Sequence, residues 1–262
     1  MGSGSIIFSV IAWTGGVVST VLWGTLSVIG SLFSKTGRFQ HYCMRTWSRW
    51  CCRSSRTKVV VEGAENALRD GPQMFAANHQ AIYDILILGG WIPVQFRWIA
   101  RKEWLRTPFM GWHLKRYGTI AVDRSNPRAS AKSLLEAADR IRSGTTILFF
   151  PEGTRQPDAL LQEFKQGGFL LAMRAGVPIL PVSIVGTKDI IRKNSWRVHK
   201  GTIKLVIGKP IDTTKYGKRD REKLMSDVRD AIAIHLPDEY LVNYRKSGGE
   251  DVPAAASDLV QD

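Results

Sequence analysis

One of the chain's five histidines, His79, has a carboxylate five residues on, in the segment Ala77-Asn78-His79-Gln80-Ala81-Ile82-Tyr83-Asp84. An imidazole held by a carboxylate is a general base: it takes a proton from an alcohol while the carboxylate fixes its tautomer and stabilises the imidazolium that forms. Five residues on a regular helix turn through about 500°, leaving the side chains roughly 140° apart. His79 and Asp84 therefore meet only if His79 precedes the helix or sits in its bent first turn. An Asp at a helix start also caps backbone N–H groups, and the spacing alone does not separate the two roles. A second constellation, Phe149-Phe150-Pro151-Glu152-Gly153-Thr154-Arg155, follows the apolar run from Thr146. Pro151 and Gly153 suit a rigid turn whose N–H groups face an anion, and Arg155 offers a two-pronged donor for phosphate. Glu152 is a candidate acceptor for a substrate hydroxyl. An ordinary loop with a solvated arginine is the other reading of the same residues.

The usual hydrolase, nucleotide and zinc signatures are missing: there is no GxSxG, P-loop, GxGxxG, HExxH or paired CxxC. Cys43, Cys51 and Cys52 lack metal-ligand spacing and read as reduced thiols. No metal and no redox cofactor is expected.

Taken together the two segments resemble the glycerolipid acyltransferase family, which moves acyl chains onto lysophosphatidic acid and related acceptors. Asn78-His79 through Asp84 matches the family's NHx4D motif, and Phe150 to Arg155 matches FPEGTR without departure. Arg101-Lys102-Glu103-Trp104, Pro108, Gly111 and Tyr117 to Arg124 resemble its second region, and Val177 to Ser183 a fourth. Trp104 departs from the leucine that often follows Lys-Glu there. The resemblance runs from about Lys58 to Ile211. It implies a 1-acyl-sn-glycerol-3-phosphate O-acyltransferase in which His79 deprotonates the acceptor's sn-2 hydroxyl for direct attack on the thioester of acyl-CoA or acyl-carrier protein, with Asp84 orienting it. It further implies that Arg155 and Arg124 bind the acceptor phosphate, that Lys102 assists, and that Glu152 and Gly153 shape the glycerol site beside the motif residue Asn78. Glycerol 3-phosphate or a lyso-aminolipid stands as an alternative acceptor. Main-chain N–H groups near Gly153 or at the helix start after His79 are candidates to hold the oxyanion. Trp98, Trp104, Met110 and Trp112, among other apolar residues from Trp91 onward, are candidate walls of an acyl tunnel.

The elements that must hold these residues alternate. Strands are expected at 58–61, 74–77, 96–100, 119–122, 146–150, 179–185 and 202–207, with helical patterns at 128–142, 163–174 and 219–235. The alternation means an α/β fold, and the resemblance implies one acyltransferase-like domain with a mixed sheet flanked by helices over residues 58–240. Pro178 and Pro181 suggest an edge or irregular strand. Residues 241–262, acidic and rich in Gly, Ala and Pro, read as a disordered tail.

Ahead of the body, Ser5 to Phe33 is almost continuously apolar or small, and the first charged residue is Lys35. As one helix this run spans about 44 Å against a hydrocarbon core of about 30 Å. The pair Gly15-Gly16 suggests a break, so one tilted or kinked span and two short helices dipping into one leaflet both stay open; a cleaved signal peptide fits poorly without a basic n-region. The formal net charge is +14, and seven cations from Lys35 to Lys58 precede the first acid, Glu62. Next to an apolar anchor these favour anionic lipid over nucleic acid as the partner. Residues 1–57 are thus expected to form a membrane anchor and basic interfacial segment, with the catalytic body on the cytoplasmic face, in a bacterium the inner membrane.

Overall fold

The computed structural model describes residues 5–33, 36–122, 127–155, 160–192, 194–242 and 244. Helices α1 (Ile6–Gly30) and α2 (Arg38–Ser54) lead into β1 (Thr57–Glu62) and β2 (Met74–Ala77). Next come α3 (Tyr83–Trp91), β3 (Arg97–Arg101), α4 (Met110–Tyr117), β4 (Ile120–Val122), α5 (Pro127–Arg142) and β5 (Ile147–Phe149). The chain continues through α6 (Gln166–Ala175), β6 (Ile179–Val185), the short α7 (Thr187–Ile190), β7 (Gly201–Ile207) and α8 (Arg221–Ala233). The strands form one sheet in the order β1-β7-β6-β2-β5-β3-β4. It is mixed: every pairing is parallel except β6 with β7.

Successive residues of a strand point to opposite faces, and β2 uses both. Met74 and Ala76 join one buried cluster with residues of α5, α6 and α8, such as Ile141, Phe169 and Val228. Phe75 and Ala77 join a second cluster with Met44 of α2 and Ile87 and Leu88 of α3. Burial on both faces explains why the central strands read as unbroken apolar runs.

β6 is not the edge or irregular strand its prolines suggested; it lies third in the sheet, between β7 and β2. Its ladder with β7 covers only Val182 to Val185, and the Pro181 carbonyl receives the Gly208 N–H at 2.8 Å. The N of a strand residue points to the same side as its carbonyl, so the missing Pro181 N–H falls beyond the end of that ladder and costs β2 nothing.

The apolar run forms one helix through Gly15-Gly16, without the expected break. Gly15 serves instead as a contact point: a Cβ there would lie 2.5 Å from Ser54 Oγ on α2. α1 is tied to the body near both ends. Ser9 Oγ accepts the Val198 N–H at 3.0 Å, and the Trp13 indole donates to the Trp196 carbonyl at 2.8 Å. Toward the other end Ser27 Oγ lies 2.6 Å from His113 Nδ1 on α4, and between them the Trp47 indole of α2 donates to Thr20 Oγ1. The opposite side of α1 exposes Ile6, Ile7, Val10, Val17, Val18 and Val21. By length and composition this is the one helix among the described residues suited to entering a bilayer.

α1 and α2 pack onto the body that begins with β1. The body also runs past residue 240: Leu241 and Tyr244 are buried, and the Tyr244 hydroxyl bonds Asp230 at 2.8 Å. Cys43, Cys51 and Cys52 are free thiols, buried on α2.

Candidate active site

β6, β2, β5, β3 and β4 are five contiguous parallel strands, so their C-terminal ends share one edge of the sheet, the edge where α/β folds bind ligands. β2 runs out at Ala77 into Asn78 and His79. β5 ends at Phe149, just before Phe150 to Arg155, and β3 ends at Arg101, just before Lys102. His79, Glu152 and Lys102 therefore follow strands whose C-terminal ends share one edge.

His79 precedes α3 and Asp84 is its second residue, which resolves the angular difficulty of the five-residue spacing. His79 Nδ1 lies 2.8 Å from Asp84 Oδ2. With the carboxylate as acceptor, Nδ1 carries the proton and Nε2 keeps its lone pair, the tautomer a general base needs. The imidazole also stacks on Phe150, centroids 3.8 Å apart and planes 13° from parallel. Asp84 is fully buried. Its Oδ2 also accepts the N–H groups of Gln80 (2.6 Å) and Ala81 (2.9 Å), so the capping role and the histidine-orienting role coexist in one carboxylate. Its Oδ1 accepts the Thr187 hydroxyl at 2.5 Å.

Glu152 reaches across from the next strand. Its Oε1 accepts the His79 N–H at 2.7 Å and its Oε2 the Gln162 N–H at 3.4 Å. Burial pushes its carboxyl up to about 8, against the pull of those donors and of Arg229 and with a push from Asp84. Glu152, a candidate acceptor for a substrate hydroxyl, here holds the backbone of His79. Asn78 is likewise spent internally: its Oδ1 accepts the Ile184 N–H (2.8 Å) and its Nδ2 donates to the Ile184 carbonyl (3.0 Å), extending β2 along β6 by a side chain. These bonds use Oδ1 and one of the two Nδ2–H donors, leaving the second N–H as the group Asn78 could offer an acceptor.

Gly153 has φ of +75°, the left-handed conformation that makes the turn and favours glycine. Its N–H donates to the Phe150 carbonyl. With the N–H groups of Gln80 and Ala81 also engaged, these three candidate oxyanion donors are committed elsewhere. Arg155 is exposed beyond the turn, and Lys102 is exposed at the start of a single-turn helix after β3. Lys165 joins them: a Cβ on Gly153 would lie 3.3 Å from its Nζ. Arg124 lies outside the described residues, two positions after β4 ends.

A small apolar cleft of about 50 Å³ lies between α1, α2 and α4. Trp23, Trp47, Met44, Ile85, Met110 and Leu114 help line it, together with Trp98. Trp98 stacks on Phe150 at 6.3 Å, and Phe150 on His79, so aromatic rings lead from the cleft to the base. Of the expected tunnel walls Trp98 and Met110 take this place, whereas Trp104 and Trp112 are exposed. Sequence reasoning gave no role to Phe150, though it opens the FPEGTR motif, and passed over Thr187, which no motif marked.

Comparison with known proteins gives the arrangement a family. An acyltransferase family model matches residues 58–185. The 1-acyl-sn-glycerol-3-phosphate acyltransferase of Pseudomonas aeruginosa is 31% identical, over 77% of this chain and 79% of its own. The chain belongs to the 1-acyl-sn-glycerol-3-phosphate acyltransferase family. The Escherichia coli member is 32% identical over 67% of this chain and 71% of its own. A chloroplastic member from Brassica napus is 30% identical over 87% of this chain, which spans 65% of that longer relative. The crystal structure of the family member from Thermotoga maritima superposes with a TM-score of 0.76 at 27% identity, covering 87% of this chain and 92% of that one. The family's mixed sheet with flanking helices is the fold described above.

Proposed function

We propose that this protein transfers a fatty acyl chain from a thioester to the sn-2 hydroxyl of 1-acyl-sn-glycerol 3-phosphate, making phosphatidic acid. The observation that carries the proposal is the His79–Asp84 pair, with Nε2 left free at the edge where the FPEGTR turn also emerges. His79 Nε2 takes the hydroxyl proton as the oxygen attacks the thioester carbonyl. The tetrahedral intermediate expels the thiolate, which takes the proton back from the imidazolium, leaving free thiol and the new ester. No acyl-enzyme is required, and coenzyme A or acyl-carrier protein serves as the carrier of the chain. Arg155, with Arg124, Lys102 and Lys165, supplies positive charge for the acceptor phosphate. The apolar cleft suits an acyl chain, whose burial gains about 0.8 kcal/mol per CH2.

The membrane reading follows from α1. Its ties to the body at Ser9 and Ser27 are separated by about 27 Å of helix, close to the about 30 Å of a bilayer core. A crossing by α1 would drag the 195–198 loop and α4 into hydrocarbon with it, at the cost of their polar groups. We therefore read α1 as lying in one leaflet with its apolar side down, the cations of α2 meeting anionic headgroups on the cytoplasmic face.

The test is to incubate detergent-purified wild type and His79→Ala with lysophosphatidic acid and acyl-CoA or acyl-carrier protein, following phosphatidic acid by mass spectrometry and thiol release in parallel. Wild type makes both products in equal amounts, and His79→Ala is at least about 10²-fold slower, the scale of losing a positioned base. Thiol release without phosphatidic acid would move the acceptor to glycerol 3-phosphate or a lyso-aminolipid. Equal rates in the two proteins would remove the mechanism.

A further inference from the structure

The two oxygens of the Asp84 carboxylate are held by different parts of the chain. Three donors converge on Oδ2: the His79 ring N–H and the N–H groups of Gln80 and Ala81, all within the loop that precedes α3. Oδ1 is held from across the sheet, by the hydroxyl of Thr187 at 2.5 Å. A buried carboxylate tethered through one oxygen still has rotation about its last carbon–carbon bond available. A tether on the other oxygen removes it.

We infer that Thr187 is a positioning residue for the His79–Asp84 pair, fixing the plane of the Asp84 carboxylate so that Oδ2 faces His79 Nδ1. The inference rests on the proposed acyl transfer for its kinetic consequence but not for its geometry. Thr187 is fully buried and is itself rigidly placed. It opens α7 directly after Gly186, whose φ is +93°, and a Cβ on Gly186 would lie 2.8 Å from the Thr202 carbonyl of β7. The turn between β6 and α7 is thereby pinned against the neighbouring strand, and the hydroxyl is carried by the first residue of α7.

Gln80 completes the arrangement. Its Oε1 lies 3.4 Å from Thr187 Oγ1, while its Nε2 is buried without a partner among the described residues. A half-turn of this amide places Nε2–H against Thr187 Oγ1. The hydroxyl then accepts from Gln80 and commits its single proton to Asp84. The chain of bonds Gln80–Thr187–Asp84–His79 fixes the imidazole from behind, while Glu152 fixes the backbone of the same histidine.

Two substitutions separate the hydroxyl from the shape of the side chain. Thr187→Val keeps the shape and loses the donor; Thr187→Ser keeps the donor and loses a methyl. The expectation is a fall in kcat of about 10-fold for Thr187→Val, the scale of one hydrogen bond to a charged group, with acceptor KM unchanged, and near-wild-type kcat for Thr187→Ser. A second readout needs no substrate. In proton NMR of the detergent-solubilised protein, the His79 Nδ1–H bonded to Asp84 gives a far-downfield resonance, assigned by its loss in His79→Ala. It should broaden or vanish in Thr187→Val and persist in Thr187→Ser. If wild type fails to turn over while the resonance follows this pattern, the positioning role stands and the proposed reaction falls. Should Thr187→Val not fold, Thr187→Cys, a weak donor of similar size, should lie between wild type and Thr187→Ala in both readouts. A valine variant with unchanged kcat and resonance, or a serine variant as impaired as valine, would overturn the inference.

Discussion

Glu152 acts on His79 through the main chain. Its carboxyl accepts the His79 N–H, and burial pushes it up to about 8, so near neutrality it is largely the protonated acid. Glutamine keeps a carbonyl to accept the His79 N–H and loses only the longer bond from the Gln162 N–H, which an amide NH2 cannot accept. Glu152→Gln is therefore expected to retain turnover within about 3-fold, whereas Glu152→Ala leaves a buried N–H unpaired at about 1–3 kcal/mol and lets the base drift; steady-state rates and thermal melts of both variants check this. The pH dependence has a definite sign. Between about 4.5 and 8 the folded chain holds a proton that the unfolded chain has released, so stability from this group is full below 4.5 and declines as pH rises through 8. The melting temperature of Glu152→Gln relative to wild type should climb across that window. At this scale the sequence was legible where a residue type carries its own chemistry, as His79, Asp84 and Arg155 do. It was silent on Thr187, an ordinary residue type whose importance lies in which oxygen it reaches, about a hundred positions away.

Elements read well where both faces of a strand are buried and poorly where a pattern has two meanings. β2 and β6 were found with their observed bounds because their apolar runs end in polar turns. β6 was nevertheless placed at an edge, because proline's missing donor matters only on the side where a ladder needs it. The sequence marks α2 by its cations rather than as a helix, and gives no sign of α4. The charge run masked a half-buried face carrying Cys43, Met44, Ser48 and Cys52. α4 owes its place to α1 through Ser27 and His113. Ser27→Ala leaves a buried imidazole nitrogen without its partner, at a cost of about 1–3 kcal/mol, and should raise hydrogen–deuterium exchange in α1 and α4 before the rest of the chain. Burial, reinforced by Arg97, holds His113 down at about 4. As pH falls from 6.5 to 4 the unfolded chain takes up a proton that the folded one refuses, so stability is lost over that interval. Melts of His113→Phe should show a shallower decline there than wild type.

The whole molecule places its chemistry by topology. Five parallel strands deliver His79, the groups that orient it and the FPEGTR turn to one edge, while α1, α2 and α4 enclose an apolar cleft reached from His79 through Phe150 and Trp98. Arg155 stands at the exposed rim of that edge, so its charge should govern capture of a phosphate rather than the proton transfer. Arg155→Ala is expected to raise acceptor KM about 10-fold or more with a smaller change in kcat, the pattern of lost charge-assisted binding; initial rates over a range of lysophosphatidic acid concentrations decide it. Order along the chain was enough to foresee the class of fold, since strand and helix signals alternate. What the sequence could not convey is that the N-terminal apolar segment belongs to the same body: that depends on single bonds, such as Trp13 to the Trp196 carbonyl, between positions 183 residues apart.

The buried cysteines of α2 bear on how such an enzyme can be watched at work. Every proposed turnover liberates a thiol, and a colorimetric disulfide reagent counts liberated thiols only if the protein's own stay silent. Desolvation pushes Cys43 and Cys51 up to about 11, and Cys52 higher still, so at neutral pH hardly any of their sulfur is in the reactive thiolate form. The folded protein thus supplies its own blank, and a slow rise in reagent colour without substrate would report unfolding around α2 rather than catalysis.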